Sequence, residues 1–295
     1  MPRSLLALLA LALAAPAAAQ PAAPPAASTP ALWSVSDDDS TVYLLGSVHV
    51  LTERAYPLSA AVEAAYADAE VVAFELDVEA TLAAAADPSM TMARGLYTDG
   101  TTLADHVAPE LYEDVRAAAG GFGVPPGAVD AMRPWLLALT FSGLAAERAG
   151  FTAEHGLDHH VYVRAGRDAK ERVAFETLDQ QMDLFAGLAP EAQAAMLRRT
   201  LDDLADAEAG FERLQTSWRT GDTDALDAEL REGLTAELEA RLLNDRNRAW
   251  LPQVEALLAR TGEDALVVVG VGHLVGEGSL VALLQDEGYA VVRHD

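Results

Sequence analysis

The amino-acid sequence predicts an α/β protein in which two βαβ-type half-repeats form a central sheet, with a large helical insertion between them. Three observations carry this. A short run of β-rich residues near each end of the chain leads into Gly-x-x-His and then into residues at helical spacing. The stretch between them, about 100–250, reads mostly as helices. The chain has 295 residues, 51% of them hydrophobic, which suffices to bury a full core.

The first 19 residues have their own composition. Arg3 precedes an apolar run from Leu5 to Ala15, and Ala17-Ala18-Ala19 follows. A short positive region, an apolar stretch of roughly 7–15 residues and an Ala-x-Ala exit are the pattern of a secretory signal. The run falls short of the about 20 residues a membrane-spanning helix needs. The expectation is cleavage after Ala19, no stable membrane span thereafter, and a periplasmic or secreted protein. Residues 20–31, rich in Pro, Ala and Ser, read as a flexible tether. The folded domain is then 32–295.

Trp33–Val35 and Thr41–Leu45 are expected to form a hairpin across Asp37-Asp38-Asp39-Ser40. Thr41–Leu45 runs into Gly46-Ser47-Val48-His49, and Pro57 stands where a first helical turn would start. Leu58, Val62, Ala65 and Ala69 then recur at helical spacing, and Val71–Leu76 is a second apolar strand. Near the other end, Ala265–Val269 enters Gly270-Val271-Gly272-His273. A helix marked by Leu280, Leu283 and Leu284 follows, then a closing strand Ala290–Arg293. Nearly continuous apolar strands are those covered on both faces. Between the half-repeats, helices are expected at Pro109–Ala119, Arg133–Ala149, Glu191–Ala209, Asp222–Glu232 and Thr235–Ala249, with one further strand at Arg172–Phe175.

The net charge is −26 and Lys170 is the only lysine, so there is no basic stripe for phosphates and nucleic acid is not an expected partner. The absence of cysteine removes disulfides and thiolate metal sites, leaving His, Asp, Glu, Asn or water as ligands for any metal.

In a parallel α/β sheet, functional groups gather beyond the carboxyl ends of the strands. His49 and His273 each lie just past such an end, and Glu75 closes Val71–Leu76. If the two half-repeats pair about a pseudo-twofold, all three reach one rim. Two imidazoles and a carboxylate suit a divalent cation with an open position. The alternative is that the histidines merely pin their turns. Ser47 beside His49 raises a serine nucleophile, but Gly-x-Ser-x-Gly is absent and near neighbours on a turn rarely face each other. His155 and His159 read as a solvated cluster and Trp250 as core. Asp158 is open between a site role and a helix cap, Glu176 between the rim and a helix start. Arg246 is open between the site and pairing with Glu239 or Asp245.

YLLGSVHVL, FELD, GLDHH at 156–160, ETLDQQ at 176–181, LLNDRNRAW at 242–250 and VVVGVGHLVGEGSLVALLQDEGYAV at 267–291 together resemble the TraB/GumN family, which includes the TIKI proteases and is related to erythromycin-esterase-like and ChaN-like proteins. The resemblance implies a metal-dependent, peptidase-type hydrolase. It places His49, Glu75 and His273 as the metal (Mn, Co or Zn) or catalytic group, with Arg246 and Asn247 as supporting polar residues, and a peptide or protein as substrate. Two other readings stand beside it. One is metal-free hydrolysis with His49 as base and Glu75 orienting it; the other is ligand capture without turnover.

Overall fold

A computed structural model describes residues 26–79, 81 and 89–294. The export signal expected over 1–19 and the start of the tether lie outside the described residues. In chain order the strands are β1 (Leu32–Ser36), β2 (Thr41–Ser47), β3 (Val71–Leu76), β4 (Glu171–Glu176), β5 (Ala265–Gly270) and β6 (Val292–His294). The helices are α1 (Ala60–Asp68), α2 (Ser89–Gly95), α3 (Pro109–Phe122), α4 (Pro126–Ala131), α5 (Pro134–Arg148), α6 (Leu157–Arg167), α7 (Leu178–Ala186), α8 (Pro190–Asp203), α9 (Ala207–Thr220), α10 (Thr223–Arg231), α11 (Ala236–Glu239), α12 (Asp245–Leu258) and α13 (Leu280–Asp286).

The strands form one sheet in the order β4-β3-β5-β2-β1-β6. β4, β3, β5 and β2 are mutually parallel, and β1 runs antiparallel to both β2 and β6. The α/β expectation holds, but the half-repeats interleave. β5 inserts between β2 and β3, and β6 crosses to the far edge beyond β1. The two Gly-x-x-His turns share a rim because β2 and β5 are parallel neighbours, with Gly46 opposite Val269 and Ser47 opposite Gly270. Central β3 and β5 are buried along almost their whole length, as continuous apolar strands should be when covered on both faces.

Local chemistry explains most boundaries. α1 starts at Ala60, beyond Pro57, because the Ser59 hydroxyl accepts from the Val62 amide and caps the turn. Thr177 and Gln180 form a reciprocal capping box that starts α7 directly after β4. The single helix expected over Glu191–Ala209 is instead α8 and α9, separated by a 3₁₀ turn at Leu204–Asp206. The helix expected at Thr235–Ala249 runs on to Leu258 and contains a π turn, Ala240–Asn244, just before Asp245-Arg246-Asn247.

One boundary needs correcting. Residues 26–31, the end of the expected tether, are seated on the domain. Ser28 is fully buried, exchanges backbone bonds with Pro57 and Ser59, and accepts from Arg219. A Pro/Ala-rich composition marks extended backbone, and here that backbone finds partners. A second hydrophobic cluster, built around Leu111, Val115, Leu137, Phe141 and Leu197, unites α3, α5 and α8 inside the insertion.

Candidate functional site

The site lies beyond the carboxyl ends of β2, β3 and β5. Glu75, near the end of β3, is buried, and its Oε1 accepts from the Gly270 amide at 2.5 Å. Its Oε2 accepts from Arg246 Nη2 at 2.7 Å. Arg246, on the first turn of α12, also donates through Nε to Glu176 at the end of β4 (3.0 and 3.2 Å). Its Nη1 donates to the Leu242 carbonyl and to His273 Nε2, the latter at 3.0 Å. His273 Nδ1 lies 2.7 Å from Asn247 Oδ1, while Asn247 Nδ2 donates to the Gly278 carbonyl. Because the amide oxygen faces the ring, His273 carries its proton on Nδ1 and accepts at Nε2. The π turn sets up this pair of neighbours by re-aiming the helix immediately before them, a use such turns often have. Trp250, one helical turn on, lies under both: its ring is 4.4 Å from that of His273 and 4.6 Å from the guanidinium carbon.

His49 is anchored differently. Its Nδ1 is 3.0 Å from Asp158 Oδ1, and the Ser47 hydroxyl donates to the same oxygen at 2.8 Å. Asp158 arrives on the first turn of α6, which approaches because Gly156 has no side chain; a Cβ there would collide with the His49 carbonyl. The His49 side chain remains 64% exposed, so its outer edge is open to solvent and ligand. Its Nε2 points toward the centre of the rim. A Cβ placed on Gly270 would lie 2.9 Å from Glu75 Oε1, 3.7 Å from His49 Nε2 and 3.7 Å from His273 Cδ2.

Electrostatics separates the two imidazoles. The Asp158 carboxylate, which also hydrogen-bonds the ring, pushes His49 up to about 9. Burial, aided by the nearby Arg246 charge and resisted by Glu75, pushes His273 down to about 3, so it is neutral at ordinary pH. Burial would raise Glu75, but His273, Arg246, His49 and the Gly270 amide more than offset it and hold the carboxyl at about 2. Burial likewise opposes ionisation of Asp158, yet His49 and Ser47 hold it below the usual range. Arg246 stays a cation because Glu75 and Glu176 outweigh its desolvation.

The structure therefore brings His49, Glu75, His273, Arg246 and Asn247 together, and adds Asp158, Glu176 and Ser47. Asp158 and Glu176 take the site roles left open by sequence. Arg246 pairs with neither Glu239 nor Asp245 but with two acids from separate strand ends. Glu75 does not orient His49; Asp158 does. Trp250 is core, and it is also the floor under His273. His159, read as part of a solvated cluster, lines the adjacent cavity together with Gln181, which sequence reasoning missed. The GLDHH stretch put His159 within one residue of Asp158, and that adjacency was the available signal.

A family model described as the TraB/PrgY/gumN family matches residues 31–293. The chain belongs to this family. It is similar to the protein YbaP of Escherichia coli K12, itself described as uncharacterized, with 22% identity over 243 residues, 82% of this chain and 87% of YbaP. The Shigella flexneri YbaP matches to the same extent. No solved structure matches. Family membership leaves the reaction to be argued from the site.

The family resemblance implies a metal, and the donor chemistry can be tested against that. Both histidines have Nδ1 engaged by an oxygen, which leaves Nε2 as the ligating atom, the usual arrangement of metal-bound histidine. The place between them is contested, because His273 Nε2 and Glu75 Oε2 both already accept from Arg246. Among the described residues, no three His, Asp or Glu side chains are placed to hold an ion as they stand.

Proposed function

We propose that this chain is a hydrolase of amide or ester bonds in which His49, held by Asp158, is the proton-transferring group. The observation that carries this is the 3.0 Å His49 Nδ1–Asp158 contact, with Nε2 left free beside a cavity of about 270 Å³. A carboxylate on Nδ1 fixes the tautomer and stabilises the imidazolium that forms. A water at Nε2 loses its proton to the ring, and the hydroxide adds to the carbonyl carbon of the substrate. The leaving nitrogen or oxygen then recovers the proton from the same ring as the bond breaks. Glu75, Arg246 and His273 have their polar atoms turned on one another, so their part is to hold the rim at β3 and β5 in place. Ser47 Oγ donates to Asp158, which supports a positioning role for it rather than a nucleophilic one.

A second reading has a specific observation in its favour, the convergence of His49 Nε2, Glu75 Oε1 and the His273 ring edge around Gly270. In it, His49, Glu75 and His273 hold a divalent cation such as Mn, Co or Zn. Such an ion lowers the pKa of a bound water and polarises a carbonyl. The basic n-region, apolar run and Ala-x-Ala exit of residues 1–19 support export to the periplasm or medium.

The experiment is turnover of a panel of N-acyl peptides and esters by the purified protein, before and after exhaustive chelation. Turnover that survives chelation supports the His49–Asp158 reading. Turnover lost on chelation and restored by Mn, Co or Zn supports the second. No turnover of any panel member under either condition would leave a binding role.

A further inference from the structure

We infer that the cavity beside His49 is a specificity pocket for one neutral, apolar side chain or acyl group of the substrate, with Val78 and Ala153 setting its width. The inference rests on the hydrolase reading, because it places this group next to the bond that His49 attacks.

The cavity is walled mainly by Phe74, Leu76, Val78, Ala153 and Val268. Phe74 and Val268 are core residues, so the apolar wall continues the hydrophobic centre of the sheet and is rigidly held. Its polar members are of two kinds. Glu75 and Asp158 have their charges matched by Arg246 and His49. Ser47, His49, Thr81, His159 and Gln181 contribute the remaining polar atoms, with the Ser47 hydroxyl and His49 Nδ1 both turned to Asp158.

No lysine or arginine is among the described lining residues. An anionic group placed here would lose its hydration and meet two carboxylates with no lining cation beyond His49 itself. A cationic group would also lose hydration, because the carboxylates it would seek are already paired. An apolar group has no such cost and gains from leaving water. At about 30 Å³ per water, a volume of about 270 Å³ holds about nine waters, room for an aromatic or branched aliphatic side chain but not for a folded peptide. His49 lines the same cavity, so the group that fills it lies beside the reactive Nε2.

The test is direct binding of N-acetyl-phenylalaninamide, N-acetyl-alaninamide, N-acetyl-aspartamide and N-acetyl-lysinamide to the wild-type protein, measured by calorimetry or NMR titration. Turnover of matched N-acyl-Phe, -Ala, -Asp and -Lys substrates runs alongside. The phenylalanine probe is expected to bind at least about tenfold more tightly than the alanine probe, with the charged probes weakest. Val78→Trp narrows one wall, and Ala153→Trp, at an exposed position, narrows the other. Each is expected to bring the Phe-to-Ala ratio close to unity. Equal binding of all four probes, tightest binding of a charged probe, or a ratio unchanged in two folded tryptophan variants would overturn the proposal. A phenylalanine preference in binding without turnover of any substrate would retain the pocket and remove the hydrolase reading.

Discussion

His49 and Asp158, 109 positions apart in the chain, meet at 3.0 Å because α6 packs its first turn against the carbonyl of His49 at Gly156. This one contact gives the exposed imidazole a fixed tautomer, and it makes the ring far more basic than its buried counterpart, His273.

The first prediction concerns pH. With His49 pushed up to about 9 it is protonated at neutrality, so kcat/KM should rise with pH and level off above about 9. Asp158→Asn removes the main cause of the upward shift. Its pH–rate limb should therefore move to lower pH, with a reduced plateau because the tautomer is no longer enforced. An NMR titration of the His49 ring in both proteins checks the shift independently of substrate. A limb that stays in place in Asp158→Asn would disconnect the two residues.

Arg246 supports a second prediction. Its guanidinium, on a side chain 9% exposed, is the partner of two carboxylates, the buried Glu75 (7%) and the partly buried Glu176 (11%). Arg246→Ala leaves both without a cation and should cost about 3–5 kcal/mol of stability, read from denaturant unfolding. The double variant Arg246→Met, Glu75→Gln should recover part of that loss, because it removes both charges of the innermost pair together. A single variant as stable as wild type would mean that the cluster is solvated in solution.

Acid stability follows from His273. Its folded value, about 3, lies below the ordinary histidine value near 6.5, so the unfolded chain binds a proton that the folded chain refuses. Stability should fall as pH drops through the window from 6.5 to 3, by up to about 1.4 kcal/mol per pH unit from this group. Glu75, held at about 2, adds to the loss below its ordinary value of 4.5. In His273→Gln the decline should begin near pH 4.5 rather than near 6.5. A wild-type stability that is flat from pH 7 to 5 would contradict a buried neutral His273.

Much of this was legible in the sequence, and for local reasons. The apolar runs at Thr41–Leu45, Val71–Leu76 and Ala265–Val269 announced buried strands, and Gly-x-x-His after the first and the last announced a rim. Strand order was not legible. Interleaving β5 between β2 and β3 depends on which edges pair, and periodicity says nothing about that. Asp158 and Glu176 were ambiguous for the same reason, since a carboxylate at a helix start can cap the helix or cross to another element. The π turn before Arg246 had no composition signal, because Ala240–Asn244 reads as ordinary helix. The packing of Ser28 was hidden by a composition that describes backbone shape and not its partners.

The central claim, that His49 performs proton transfer in hydrolysis, is tested most directly by comparing kcat/KM of wild type and His49→Gln on the peptide and ester panel after chelation. Glutamine is close in size and sits at an exposed position, so folding should be preserved and can be checked by unfolding midpoint. Loss of a positioned proton-transfer group predicts a fall of about 10²–10⁴-fold. A folded His49→Gln protein with wild-type kcat/KM would contradict the assignment.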